Sequence, residues 1–302
     1  MAVPASVDMT LSVHHIALNA HDPAAMAALY SQSMGLIAVH ADTTTRWLAG
    51  PNGFVALIAT DRPVGEVERQ RRVCDAGITH FCIQKAEGNT LWSQMADAGI
   101  AFNAPPVGLG TGIVYAYGAD GEHNVIEIEG VPDADPRDPA WIGHVALASP
   151  DLPRLAGFYA QLIGRAPHNS GRFANALFEN VTGLKDVDVS ATWIMADNLT
   201  FEMWQYHNPA TLPQCTREAD APGYVHIGFG CMNLDAERAR IAASGIPLHD
   251  TTIADHPALA GHDPDGNRFI VLEIPPSPHP LAYASLSAPD FVADRNRGLL
   301  CA

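Results

Sequence analysis

Basic residues are scarce in this chain. Its 302 residues carry 17 Lys and Arg against 33 Asp and Glu, a formal charge of −16 at neutral pH. Nucleic acid or an anionic membrane surface is a poor partner for that field unless a local basic patch overcomes it. The densest basic run, Arg69 to Arg72, is short and interrupted by Gln70, and it reads as an exposed segment. Cysteine is sparse too. Cys74, Cys82, Cys215, Cys231 and Cys301 are odd in number, scattered, and form no CxxC pair. A disulfide framework or a thiolate zinc site is therefore not expected, and reduced thiols in a reducing compartment are. The start, MAVPASVDMT, lacks the basic and long apolar stretches of a signal peptide. No apolar run approaches the roughly 20 residues of a membrane helix. The expected location is cytoplasmic.

What is present is ordinary globular composition, 47% hydrophobic and 17% charged, in a length that suits about two domains. The strongest signal is repetition. Four β-rich runs contain a histidine: VHHIAL from residue 13, ITHFCI from 78, IGHVAL from 142 and YVHIGF from 224. Repeats at this spacing point to repeated structural units. Each run is followed by a helical stretch that ends at a glycine. Asp22-Pro23 precedes one ending at Gly35, and NTLWSQMADAG ends at Gly99. Pro150-Asp151 precedes one ending at Gly164, and Asn233-Leu234-Asp235 precedes one ending at Gly245. Shorter alternating runs with Gly, Asn and Asp turns follow and read as antiparallel strands. The unit is βαβββ, used four times, in an α+β chain.

VPDADPRDPA (131–140), rich in Pro and Asp, is the candidate linker. It gives an N-terminal domain of modules one and two (1–132), a C-terminal domain of modules three and four (141–276), and an irregular tail (277–302).

Strand runs carrying histidine, a capped helix with Phe158-Tyr159 before Gly164, and the closing turn Asp263-Pro264-Asp265-Gly266-Asn267 together resemble the vicinal-oxygen-chelate superfamily. That superfamily comprises the glyoxalases, bleomycin resistance proteins and extradiol dioxygenases. The likeness runs to about residue 275. It implies that modules pair into two open-barrel, cup-shaped mixed sheets, each able to hold a divalent metal on residues of the first and last strand of its modules. The first-strand candidates are His15, His80, His144 and His226. His14 points to the opposite face if the strand alternates regularly. The last-strand carboxylates are Glu127 in module two and Glu202 in module three. GFVALIAT in module one offers none, and in module four the position falls on Ile270, with Glu273 a reserve ligand facing the other way. Apolar neighbours make an unpaired inward charge at Glu127 or Glu202 costly.

Consecutive units are more often neighbours in space, so pairing of one with two and three with four is expected. It gives the triads His15, His80, Glu127 and His144, His226, Glu202. The alternative pairs the inner modules, so that His80, Glu127, His144 and Glu202 converge in the four-ligand layout of glyoxalase-type enzymes. With triads, the resemblance implies an extradiol ring-cleaving dioxygenase holding Fe(II) or Mn(II), with Zn or Ni as other candidates. Tyr115 and Tyr117 are then placed to bond a substrate oxygen, and His207 to act as acid or base. His123 and His262, beside the closing turns, have similar standing. With four ligands, the implied chemistry is a non-redox isomerase, epimerase or lyase. A ligand-sequestering resistance protein is the non-catalytic reading. Trp47, Trp193, Trp204 and Tyr206 near the cups suit an aromatic small molecule. A homodimer is expected by analogy with the superfamily.

Overall fold

The computed structural model describes residues 11–214, 218–288 and 292. The N-terminal decapeptide, Cys215, Cys301 and most of the last residues of the tail fall outside that range. Module one contributes β1 (Ser12–Ala20), α1 (Pro23–Met34), β2 (Ile37–Ala41), β3 (Thr45–Ala49) and β4 (Phe54–Ala59), followed by the short α2 (Glu66–Arg69). Module two holds β5 (Gly77–Lys85), α3 (Gly88–Asp97), β6 (Ala101–Phe102), β7 (Val107–Gly108), β8 (Val114–Ala119) and β9 (Val125–Gly130). Module three holds β10 (Trp141–Ala148), α4 (Leu152–Ile163), β11 (His168–Ala174), α5 (Phe178–Thr182), β12 (Asp188–Met195) and β13 (Thr200–Asn208). Module four holds β14 (Gly223–Cys231), α6 (Leu234–Ala243), β15 (His249–Ile253), β16 (His256–His262) and β17 (Arg268–Glu273). Among the described residues, no helix is long and apolar enough to cross a membrane.

The helices begin where the sequence places them. Asp22, Asp151 and Asn233 each accept a hydrogen bond from a backbone N–H three residues on, at 2.9, 3.1 and 2.8 Å, satisfying a donor that the first turn leaves orphaned. Gly35 and Gly164 close α1 and α4 at φ of 73° and 83°, where a side chain would be strained.

The pairing of modules differs from the expectation. One sheet runs β15-β16-β17-β14-β1-β4-β3-β2 and the other β11-β12-β13-β10-β5-β9-β8-β6. Modules one and four thus share a sheet through the antiparallel seam β1–β14, and modules two and three through β5–β10. Consecutive modules do meet, but on the helical side. Tyr30 on α1 donates to Asp120 at 2.7 Å, and Tyr159 on α4 donates to Asp263 at 3.0 Å. Each aspartate also receives the side chain of the asparagine that closes its turn, Asn124 or Asn267. The neighbour rule is satisfied by these buried tyrosine–turn bonds and leaves the sheet edges to partners from the other half.

One hydrophobic core fills the helical side of both sheets, from Val13, Ile16 and Leu18 on β1 to Phe81 and Ile83 on β5. Since side chains alternate along a strand, His80, Cys82 and Gln84 lie on the opposite, concave face. β1 breaks this rule. A register shift between Val13 and His15 turns His14 into the same cup as His15, Nδ1 to Nδ1 at 3.0 Å, instead of onto the other face. The tail after β17 is irregular but enters this cup. Leu281 is fully buried against Ala17, Trp47, Phe54 and Ala56, and its carbonyl meets His14 Nε2 at 2.9 Å.

Candidate metal centre

The seam of modules two and three sets the site. β5 and β10 run antiparallel with His80 opposite Ala146 and His144 opposite Cys82. Their outer neighbours are parallel and place Glu127 beside Cys82 and Glu202 beside Ala146. Residues level with one another across strands share a face, so two histidines and two glutamates rise from the floor of one cup. Glu127 Oε2 lies 2.7 Å from His144 Nε2 and 3.0 Å from His80 Nε2. The two Nε2 atoms are 3.4 Å apart. Glu202 Oε1 accepts Trp193 Nε1–H at 2.7 Å. Glu202 Oε2 lies 3.2 Å from His144 Nε2 and 3.8 Å from His80 Nε2, yet it is buried without a hydrogen-bond partner.

The charges respond strongly. Burial alone would depress the His144 imidazole, but Glu202 and Glu127 beside it push its pKa up to about 10. Burial likewise raises a carboxyl, yet the charge of His144 and the bonds from both histidines hold Glu127 down at about 2. Glu129, on the same face of β9 and bonded by the Gln84 amide, is pushed up to about 7 chiefly by burial. Gln84 in turn accepts Trp141 Nε1–H at 2.7 Å.

This donor set fits a divalent cation. The ligating atoms of His80, Glu127, His144 and Glu202 all lie within 4.8 Å of one another, and imidazole with carboxylate suits zinc, nickel, manganese or iron. The orphaned Glu202 Oε2 is costly to bury without a cation. Behind His80, Nδ1 meets Thr79 Oγ1 at 3.0 Å and that hydroxyl donates to the Ala146 carbonyl. Such a chain orients a ligating imidazole with Nε2 forward.

The expected triads are not formed. His15 and His226 stand in the other cup, Nε2 to Nε2 at 2.9 Å. Ala56 and Ile270 occupy the register positions where a carboxylate would stand. Glu273 is exposed and receives the Leu234 backbone N–H at the start of α6. Of the assisting residues, Tyr115 and Tyr117 line the cavity over the centre, and the Tyr117 ring lies 4.8 Å from that of His80. His207 is exposed at the end of β13, paired with Ser190 Oγ at 2.8 Å and outside the cavity lining. His123 and His262 are exposed at turns. The cavity measures about 610 Å³, and Phe173, Phe178, Trp193, Trp204 and Tyr206 also line it. Glu129, Cys82 and Gln84 belong to the floor or wall; Cys82 and Glu129 were visible two residues beyond a ligand, and Gln84 four. Trp193 carried no sign of its bond to Glu202.

The chain matches known families along both halves. Residues 12–128 match the Glyoxalase/Bleomycin resistance protein/Dioxygenase superfamily, and residues 144–272 match a glyoxalase-like domain. It therefore belongs to the vicinal-oxygen-chelate superfamily along both halves. Among solved structures, glyoxalase I from Zea mays is similar at 16% identity, covering 87% of this chain and 92% of its own, with a TM-score of 0.64. A putative dioxygenase from Bacillus subtilis subsp. subtilis str. 168 is similar at 14% identity over 96% of both chains, with a TM-score of 0.60. At such identities the likeness speaks for the fold. No curated protein sequence matches this chain.

Proposed function

We propose that this chain is a divalent-metal enzyme of the glyoxalase type, a non-redox isomerase, epimerase or lyase acting on a carbonyl compound, with one metal centre per chain. The observation that carries this reading is the convergence of Glu127 and Glu202 on one pair of histidines. An extradiol dioxygenase built on three-ligand triads loses its support, because His15 and His226 lie in the other cup. The metal, when bound, polarises a substrate oxygen.

Each residue then has a task. His80 and His144 fix the cation through Nε2, and Glu127 is held between them as an ionised ligand. Glu202 completes the donor set and is also the proton carrier. Trp193 anchors its Oε1, and Oε2 is free of hydrogen-bond donors, so it takes a proton from the carbon beside the carbonyl and returns it to a neighbouring atom. The aromatic wall excludes water and suits a flat, weakly charged small molecule. Arg172, the one Arg or Lys among the described lining residues, is bound to Asp188, so these residues present no unpaired cation to a polyanion.

Elemental analysis of the native chain, Glu127→Ala and Glu202→Ala tests this reading. It is paired with solvent deuterium exchange into α-hydroxycarbonyl compounds under anaerobic conditions. The expected result is one metal per chain, weakened by both substitutions, and exchange without O2. Two metals per chain, or turnover that consumes O2 stoichiometrically, would overturn it and return the dioxygenase reading.

A further inference from the structure

The residue two positions after each first-strand histidine lies on the same face, at the floor of a cup. Across the four modules it is Ala17, Cys82, Ala146 and Gly228. All four are buried, and space is tight there. A Cβ on Gly228 would come within 2.0 Å of the His15 ring. Bulk is thus limited at this position, and alanine meets that need twice. Module two alone has a thiol. Cys82 sits level with His144 on one side and Glu127 on the other. The sulfur and the ligating atoms of Glu127, Glu129 and His144 all lie within 4.8 Å of one another. Glu127 and His144 are thus shared by two overlapping donor sets. The buried, unpartnered Oε2 of Glu202 faces the same His144.

We propose that Cys82 is a further ligand of the metal centre, so that the site selects a thiophilic divalent cation such as zinc, cobalt or cadmium. The inference rests on the metal-centre reading above. Glu127 and His144 belong to both donor sets, His80 and Glu202 to one and the thiol to the other. On binding, the sulfur–metal bond replaces the S–H bond and the proton passes to solvent. Soft thiolate added to imidazole and carboxylate shifts preference away from magnesium and manganese toward softer ions. The scattered cysteines hid this, because the partners of Cys82 lie on neighbouring strands and not in a CxxC pair.

The test uses the full chain loaded with Co(II), native and Cys82→Ala. Alanine is already accommodated at the matching position, Ala146, so the variant is expected to fold and to retain one cobalt. Native protein should show a thiolate-to-cobalt charge-transfer band in the near ultraviolet that the variant lacks. Its preference for Cd(II) over Mn(II) should fall about ten-fold or more on substitution. One bound cobalt without that band, or a band that persists in Cys82→Ala, overturns the proposal and leaves the four-ligand centre intact. No cobalt bound by the native chain would overturn both.

Discussion

Metal uptake should expel a proton from His144, and the structure gives the size of the effect. With its pKa near 10, only about one metal-free molecule in a thousand offers a neutral His144 imidazole at pH 7. The cation must displace that proton, so the observed affinity should rise about ten-fold per pH unit. Between pH 7 and 9 this is about 100-fold, or about 3 kcal/mol. The sign for the metal-free fold is opposite. A His pKa raised above its unfolded value stabilises the fold fully below about pH 6.5 and loses that contribution as pH rises through about 10. The assay is calorimetric titration with Zn(II) in two buffers of unequal ionisation enthalpy, on the Cys82→Ala background so that no thiol proton is counted. One proton released per metal at about pH 8.5, above the titration of Glu129, is the expected result. An affinity flat between pH 7 and 9 with no proton release would refute the argument, since His144 would then not be held as a cation by Glu202 and Glu127.

Three further expectations concern the rest of the molecule. Gly228→Ala drives a methyl into the His15 ring and should lower stability by about 1–3 kcal/mol, read as a fall in Tm with metal content unchanged. Tyr159→Phe removes the buried hydroxyl from Asp263 and should cost about 1–2 kcal/mol in denaturant unfolding. No loss would mean that the turn is held by Asn267 alone. His14 and His226, pushed down by burial to about 4 and about 3, are neutral in the fold. Stability should therefore be full above about pH 6.5 and fall as pH drops toward 4, by about 3 kcal/mol for His14 alone. Urea midpoints across that range for the native chain and His14→Gln would check it.

Much of this was legible in the sequence. The four modules and the helix starts at Asp22, Asp151 and Asn233 follow from periodicity and capping chemistry that act locally, whereas Glu127 and Glu202 came from the family resemblance. Ile270 also stands where the resemblance put it, level with Gly228. The module pairing was not legible. The leading strands of all four modules are equally apolar and carry histidine at the same place, so nothing local tells β1 that its partner is β14 and not β5. His14 was placed on the wrong face because alternation holds only for an unbroken register, and the shift between Val13 and His15 is set by the partner strand. The tail has no periodicity to read, and the burial of Leu281 depends on a cup lined by residues far earlier in the chain. Cys82 and Glu129 were within reach of the period-two rule, each two residues from a ligand.

The crossed seams bear on how the chain can be made. When the first half has left the ribosome, β1 and β5 are apolar strands whose partners have not yet been synthesised, since Ser12 awaits Gly230 and Gln84 awaits Trp141. Each offers unpaired backbone groups along an open edge, the kind that invites association with another nascent copy. The inner seam can close first, as β10 emerges soon after β9, and it already carries three of the four metal-binding side chains. The outer seam closes last and then takes in the tail. Ribosome-bound chains stalled after residue 210 should therefore hold a metal while still exposing the edge of β1.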